Sequence, residues 1–339
     1  MKLFFQFAAF HALLMGLLPF FVPVVLWQQG YILWQLSFFI ALTGLGFLLA
    51  LPLWRKLYLD NQWSWIIRTS FILEALLFAS ILSLPSSQDS EFSLLTMLCL
   101  VSVALLNGTY LCFYWTSQRT LFTQLTKQED GKITTGNNFG NFQIVVMILL
   151  KVGILISAYL LQQGQETALM ILSLSIALLG FIFLEPNLIA PTQAPKSAPL
   201  LSTANSSIDK MTDKPTRWVF LIDGPFLYLE SYFWLLSLYL IAQQDVMHLG
   251  FLVIGITLLL AVLFWLIKGR IDAFPANSIF QLALVGYGFS WLLRAYVGSD
   301  LDLATSMSYP YILLIAFLTS FFRLSFNKRF FDHAQLQKD

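Results

Sequence analysis

Among the ionisable side chains inside the long apolar stretches of this chain, five stand out: His11, Glu74, Lys151, Asp223 and Glu230. A charge in hydrocarbon is costly unless it is paired or hydrated, so each of them needs a reason. Glu230 follows Asp223 by seven residues, nearly two helical turns. Both carboxylates therefore share a helix face, about 10 Å apart along the axis. Gly224-Pro225 lies between them and should loosen or kink the helix. A carboxylate in an apolar cavity can load and release a proton. The pair thus offers proton coupling or cation recognition. The competing reading is a structural salt bridge, or a carboxylate that caps a neighbouring helix.

Lys151 offers anion binding, or a bridge to Glu230 that breaks as the protein changes shape; a fixed pair that only holds helices together is the alternative. Gly140 lies eleven residues earlier, within about 20° on the same face. Gly136 and Gly140, with Asn137, Asn138 and Asn141, give that stretch a close-packing, polar end. Glu74, with Arg68 six residues away, reads as structural. His11 precedes Pro19 and Pro23. Imidazole titrates near neutral pH and could join a proton path, although a hydrogen-bonded packing histidine is the simpler reading. Arg294 and Arg323 sit near run ends, where long side chains snorkel to the interface. His248 and His333 fall in expected loops. Cys99 and Cys112, thirteen residues apart, have no metal or redox spacing and read as buried structural thiols.

The elements that carry these residues are ten apolar runs: Leu3–Trp27, Tyr31–Trp54, Trp63–Leu84, Phe92–Trp115, Asn138–Leu161, Thr167–Leu184, Trp218–Ile241, Leu249–Ile267, Ala276–Val297 and Ser306–Phe326. A helix needs about 20 residues to cross the hydrocarbon. Glu74, Lys151 and Glu230 lie near the middle of their runs, roughly 16 to 20 Å from one end. The chain is 58% hydrophobic and 11% charged, where a soluble domain carries about 25% charged residues. Trp27, Tyr31, Trp34, Trp54, Trp63, Trp65, Trp115 and Trp218 sit near run ends, as interfacial rings do. Alternate gaps hold no Lys or Arg, whereas the gaps between them hold Arg55, Lys56, Arg119, Lys127, Lys132, Lys196, Lys210, Lys214, Arg217, Lys268 and Arg270. Basic loops stay cytoplasmic, so both termini are expected inside. The first run has no small-x-small cleavage site and reads as a retained helix.

The expected fold is all-α: a polytopic helical membrane protein of about ten spans arranged six plus four. Residues 1–185 form a six-helix bundle, and 186–216 a Pro-, Ser- and Lys-rich flexible cytoplasmic linker. Residues 217–326 form a four-helix part, and 327–339 a cytoplasmic tail.

Six spans, a long basic linker and further spans resemble the major facilitator superfamily. Phe113–Gly136 (FYWTSQRTLFTQLTKQEDGKITTG) resembles the end of the fourth span and the loop after it in bacterial members. Asn137–Gly164 follows as their fifth span does, and Phe220–Leu240 (FLIDGPFLYLESYFWLLSLYL) resembles their seventh. Phe326–Gln335 (FNKRFFDHAQ) resembles the loop from span ten to span eleven. The loop WRKLYLDNQW keeps the basic charge of the family's signature between spans two and three but not its pattern. The resemblance implies two halves of inverted three-helix repeats with a cavity between them. It also implies that spans one and seven line that cavity, and that spans eleven and twelve are lacking here. A truncated product, a degenerate paralogue and a working ten-helix form all remain open. The drug/metabolite transporters, built five plus five, would divide after span five, where this chain has only Gln162–Glu166.

The function expected is secondary active transport of a small or drug-like solute across the inner membrane, proton-coupled, by alternating access. Glu230 and Asp223 would take the proton, with Lys151 as counter-charge. A non-transporting paralogue with a structural or regulatory role is the alternative, and a lipid-modifying enzyme a distant third. No phosphate-cradling loop, HExxH or G-x-S-x-G motif points to ATP, metal or hydrolase chemistry. No cofactor and no catalytic residue are expected. The partners are the bilayer, a solute and the proton; the net charge of +1 argues against nucleic acid.

Overall fold

The computed structural model describes residues 2–85, 94–128, 135–184, 232–271, 276–300 and 308–336. Every element among them is helical, and none is a strand. The first run forms α1 (Lys2–Leu17), a single 3-10 turn (Pro19–Phe21) and α2 (Val22–Gln28). Pro19 and Pro23 explain the break, because proline lacks an N–H and its ring excludes the carbonyl four residues back. Then come α3 (Leu33–Leu59), α4 (Trp63–Leu82), α5 (Leu94–Gln128), α6 (Thr135–Gln162) and α7 (Glu166–Phe183). After these follow α8 (Trp234–Ile241), α9 (Val246–Ile271), α10 (Ala276–Asp300) and α11 (Ser308–Leu336).

Seven stretches among the described residues are long and apolar enough to cross a membrane, as in a multi-pass membrane protein. Six are the first six runs of the sequence: Phe4–Gln28, Leu33–Leu59, Trp63–Leu82, Leu94–Leu121, Val145–Gln162 and Glu166–Phe183. The seventh, Val246–Phe264, lies in α9. The apolar part of α11, Tyr309–Arg323, is shorter. Of the expected seventh run only the part from Tyr232 is described, a π-helical turn that leads into α8. Asp223, Glu230 and the linker 186–216 lie outside the described residues.

Two helices continue where the sequence suggested a loop or a tail. α5 runs on from Trp115 to Gln128, and α11 from Phe326 to Leu336. Neither extension contains Gly or Pro, so nothing in either stretch stops the helix. His248 and His333, expected in loops, fall in the first turn of α9 and the last turns of α11.

Short connections turn the chain back on itself. The Tyr31 N–H reaches Leu26 O while that of Gly30 reaches Trp27 O; Gln62 and Asn61 repeat this pattern after α3, and Gln165 and Gly164 after α6. These are paired capping bonds around a left-handed residue, here Gly30, Asn61 and Gly164. Each turn makes its two helices antiparallel neighbours.

The chain divides into two compact units, with the boundary inside α8 between Leu236 and Ser237. The first holds spans one (α1–α2) to six (α7) and Tyr232–Leu236. Here span one packs on five and six, two on four, and three on four and six; lighter contacts join one with two, one with four, two with three, and five with six. Exchanging spans one, two and three for four, five and six maps every one of these pairs onto another of the set or onto itself, except the light one–two contact. The exchange also inverts direction. Spans two and four are parallel, because Thr43 meets Asn107 and Trp54 meets Ser117. Spans one and four are antiparallel, because Phe7 meets Tyr114 and His11 meets Tyr110.

Two glycine crossings obey the same exchange. A Cβ on Gly16 of span one would strike Leu150 O and lie 3.0 Å from Gly153 Cα of span five. A Cβ on Gly108 of span four would strike Thr43 O and lie 2.9 Å from Gly46 Cα of span two. Small residues let membrane helices approach backbone to backbone. In the second unit α10 packs along α11, and α9 also meets α11. Tyr287 stacks on Phe322 at 4.8 Å, and Phe264 on Phe317 at 5.4 Å.

Candidate functional site

The interior of the first unit holds a polar cluster from three helices. His11 of α1, Ser70 and Glu74 of α4, and Tyr110 of α5 are all fully buried. Ser70 and Glu74 are four residues apart and so share one face of α4. His11 Nδ1 lies 2.7 Å from Glu74 Oε2. The Tyr110 hydroxyl donates to Glu74 Oε1 at 2.6 Å. The Ser70 hydroxyl donates to the Ile67 carbonyl at 2.7 Å, and its oxygen lies 3.0 Å from His11 Nε2. A carboxylate with a charged partner and a phenol donor is far better accommodated in an apolar interior than a bare one.

Aromatic rings enclose the imidazole. Phe71 stacks on it at 4.2 Å and 14°, Phe7 meets it edge-on at 4.5 Å, and Tyr114 lies 4.8 Å away. The Phe71 ring is itself seated against Gly180 of α7, where a Cβ would come within 2.5 Å of it.

The hydrogen-bond directions fix three of the cluster's protons. A hydroxyl has one proton, and that of Ser70 is committed to Ile67 O. Nε2 must therefore donate to Ser70 Oγ, an assignment made from the network. The Tyr110 proton is likewise committed to Oε1. These directions allow one proton or none at the Nδ1–Oε2 contact, and a bare charge is costly in so sealed a place, which favours one shared proton: on Nδ1 it makes an imidazolium–carboxylate pair, and on Oε2 a neutral imidazole–carboxylic acid pair. Both forms have zero net charge. Although 2.7 Å apart, Nδ1 and Oε2 lack an aligned hydrogen bond. The contact is an ion pair by distance, not a linear bond.

One face of α5 continues the polar environment. Asn107, Tyr110, Tyr114 and Gln118 recur at helical spacing and are buried, and Ser117 beside them is also buried. Ser117 accepts from Trp54 Nε1 at 3.0 Å. Asn107 Nδ2 donates to Thr43 Oγ1 at 3.3 Å and approaches the Tyr232 hydroxyl at 3.4 Å.

Sequence reasoning named His11 and Glu74 separately and did not pair them. Arg68 does not contact Glu74; its guanidinium lies 5.6 Å from the Phe181 ring centroid. Lys151 is half-buried, one residue from Leu150 and two from Gly153, the span-five backbone that touches Gly16. It forms no ion pair among the described residues. Its expected partner Glu230 is not described. Gly136, Gly140 and the asparagines near them lie in the first turns of α6. Ser70, Tyr110, Tyr114 and Gln118 were missed. Their signal was the spacing 107, 110, 114, 118 on one run and 70, 74 on another. In the second unit Arg294 donates to Thr319 Oγ1 at 2.9 Å and lies over Trp291, so it is held by its own bundle. Cys112 is a buried free thiol, whereas Cys99 is only partly buried. No group of three or more His, Cys, Asp or Glu able to hold a metal occurs among the described residues.

No protein-family model matches this sequence, and no curated protein matches it.

Proposed function

We propose that the chain is a secondary active transporter of the major-facilitator kind, with ten spans and both termini in the cytoplasm. It would act in the inner (cytoplasmic) membrane. It moves a small or drug-like solute by alternating access, with the proton as coupling ion and no enzymatic chemistry. The observation that carries this reading is the exchange relation in the first unit: spans one to three replace spans four to six with inverted direction. Inverted three-helix repeats are the construction from which such transporters build a site exposed to each side in turn. The paired crossings Gly16–Gly153 and Gly46–Gly108 support it, because they place close backbone contacts at equivalent points of the two repeats.

The test does not need the substrate. Asn107 is buried beside Thr43. In a background without Cys99 and Cys112, Asn107→Cys is placed in right-side-out and inside-out vesicles and treated with a membrane-impermeant maleimide. Alternating access predicts labelling from both sides. Labelling from one side only, or from neither, overturns the reading and leaves a static membrane protein.

A further inference from the structure

We propose that the His11–Glu74 pair is the site where the coupling proton binds, and that the closed arrangement is its proton-loaded form. This rests on the transporter reading above. It moves the proton from the seventh span, where the sequence pointed, to the heart of the first bundle.

The inference follows from the proton count. With Ser70 and Tyr110 both committed as donors elsewhere, only a proton shared by Nδ1 and Oε2, 2.7 Å apart, leaves the sealed cluster without net charge. Loss of that proton leaves a neutral imidazole beside a carboxylate, a net charge of minus one. Every side chain in the cluster is sealed from solvent, and a bare charge cannot stay in such a place without water. The unloaded pair therefore requires hydration, which requires the bundle to open. Uptake is a simple proton addition: imidazole and carboxylate plus one proton give the neutral pair, with no other bond changed.

The surroundings contain nothing to replace the proton. The titratable groups facing His11 are Glu74 from α4 and Tyr110 and Tyr114 from α5. From α6, which also packs on α1, the nearest is Lys151, beside the crossing at Gly16, more than a turn along from His11. The titratable group of α7, Glu166, is exposed at its first turn. Arg68 of α4 lies over Phe181. No described cation other than His11 contacts Glu74. The polar face of α5 continues away from the pair with Tyr114, Ser117 and Gln118, all buried.

The chain has three histidines, His11, His248 and His333. With His248→Gln and His333→Gln in place, nitrogen-15 histidine NMR of the full chain in liposomes reads His11 alone. The expected result is a pH-dependent change of Nδ1 with Nε2 staying protonated, matched by a carboxyl infrared band that Glu74→Gln removes. Tyr110→Phe should shift that band while leaving the fold intact. Maleimide labelling at Asn107→Cys, normalised at each pH to the same thiol in denatured protein because the thiolate is the reacting form, should rise with pH as the unloaded pair opens, and that normalised rise should vanish in His11→Phe/Glu74→Leu.

Constant signals from a doubly protonated His11 and an ionised Glu74, over the whole range in which the protein stays folded, would overturn the proposal. So would normalised labelling that is insensitive to pH. One-sided labelling with a normal His11 titration is the distinct failure: it removes the transporter reading, and with it the word coupling, while His11–Glu74 stands as a proton site.

Discussion

His11 Nδ1 and Glu74 Oε2, sixty-three residues apart in the chain, lie 2.7 Å from each other in the interior of the first bundle. Neither residue is exposed at all. Each makes the other tolerable. An imidazole or carboxylate alone there would be left to an apolar environment that solvates neither charge.

Removing one partner should accordingly be worse than removing both. Glu74→Leu or His11→Phe alone is expected to cost about 3–5 kcal/mol, the usual penalty for breaking a buried pair. The double variant should be more stable than either single one. Thermal unfolding of the four proteins in one detergent forms a double-mutant cycle. Additive losses would mean that the two side chains do not interact.

The Tyr110 phenol is the only hydrogen bond to Glu74 Oε1 found among the described residues. Tyr110→Phe removes that donor and leaves the ring. A loss of about 1.5–3 kcal/mol is expected, because the acceptor carries charge in at least one form of the pair. In Glu74→Leu the same change should cost much less. Equal costs in the two backgrounds would show that the hydroxyl serves some other partner.

The glycine crossings should be sensitive in a way that composition alone does not explain. At Gly108 an added Cβ meets the Thr43 carbonyl and the Phe47 amide, which are backbone and cannot turn aside. At Gly44 an added Cβ meets nothing within 4 Å. Gly108→Ala should therefore lower stability by at least about 1–3 kcal/mol, as overpacking does, and Gly44→Ala should change little. Gly16→Ala should behave as Gly108→Ala does. Size-exclusion profiles after heating would separate the three, and a tolerated Gly108→Ala would refute the close crossing.

The sequence revealed the elements better than their ends. Apolar length is a one-dimensional signal, so the first six runs reappear as α1–α2 and α3 to α7. Where α5 and α11 stop was not legible, because polarity near Arg119 or Lys328 looks like a loop although no residue there breaks a helix. The site was half legible. A buried charge is conspicuous in an apolar run, which is why His11 and Glu74 stood out singly. Their meeting depends on how spans one, three and four pack, and no local pattern encodes that. Depth along each span could have suggested it, but the reading matched Glu74, Lys151 and Glu230 by depth and left His11 aside. Tyr110 and Tyr114 escaped because tyrosine in a membrane helix reads as an interfacial anchor rather than as a donor in the interior.

Gly180 gives a test of the site from outside it. It lies on α7 and touches neither His11 nor Glu74, but it makes the room in which the Phe71 ring sits. That ring lies flat on the His11 imidazole, 4.2 Å away. A methyl group at position 180 would come within 2.5 Å of the Phe71 Cε1 atom, so the ring must move toward the imidazole or swing off it. Movement toward the imidazole meets Phe7 and Tyr114 on its other sides; swinging off opens a gap above a polar ring. Gly180→Ala should therefore cost about 1–3 kcal/mol and shift the His11 nitrogen-15 signals. Gly255→Ala, where an added Cβ meets nothing within 4 Å, should do neither. The smaller ring site in Phe71→Leu/Gly180→Ala should recover part of the stability without restoring the His11 signals, since the stacking partner is gone. If Gly180→Ala destabilised the protein and left the His11 spectrum untouched, Phe71 would be a spacer between helices four and seven and not a wall of the proton site.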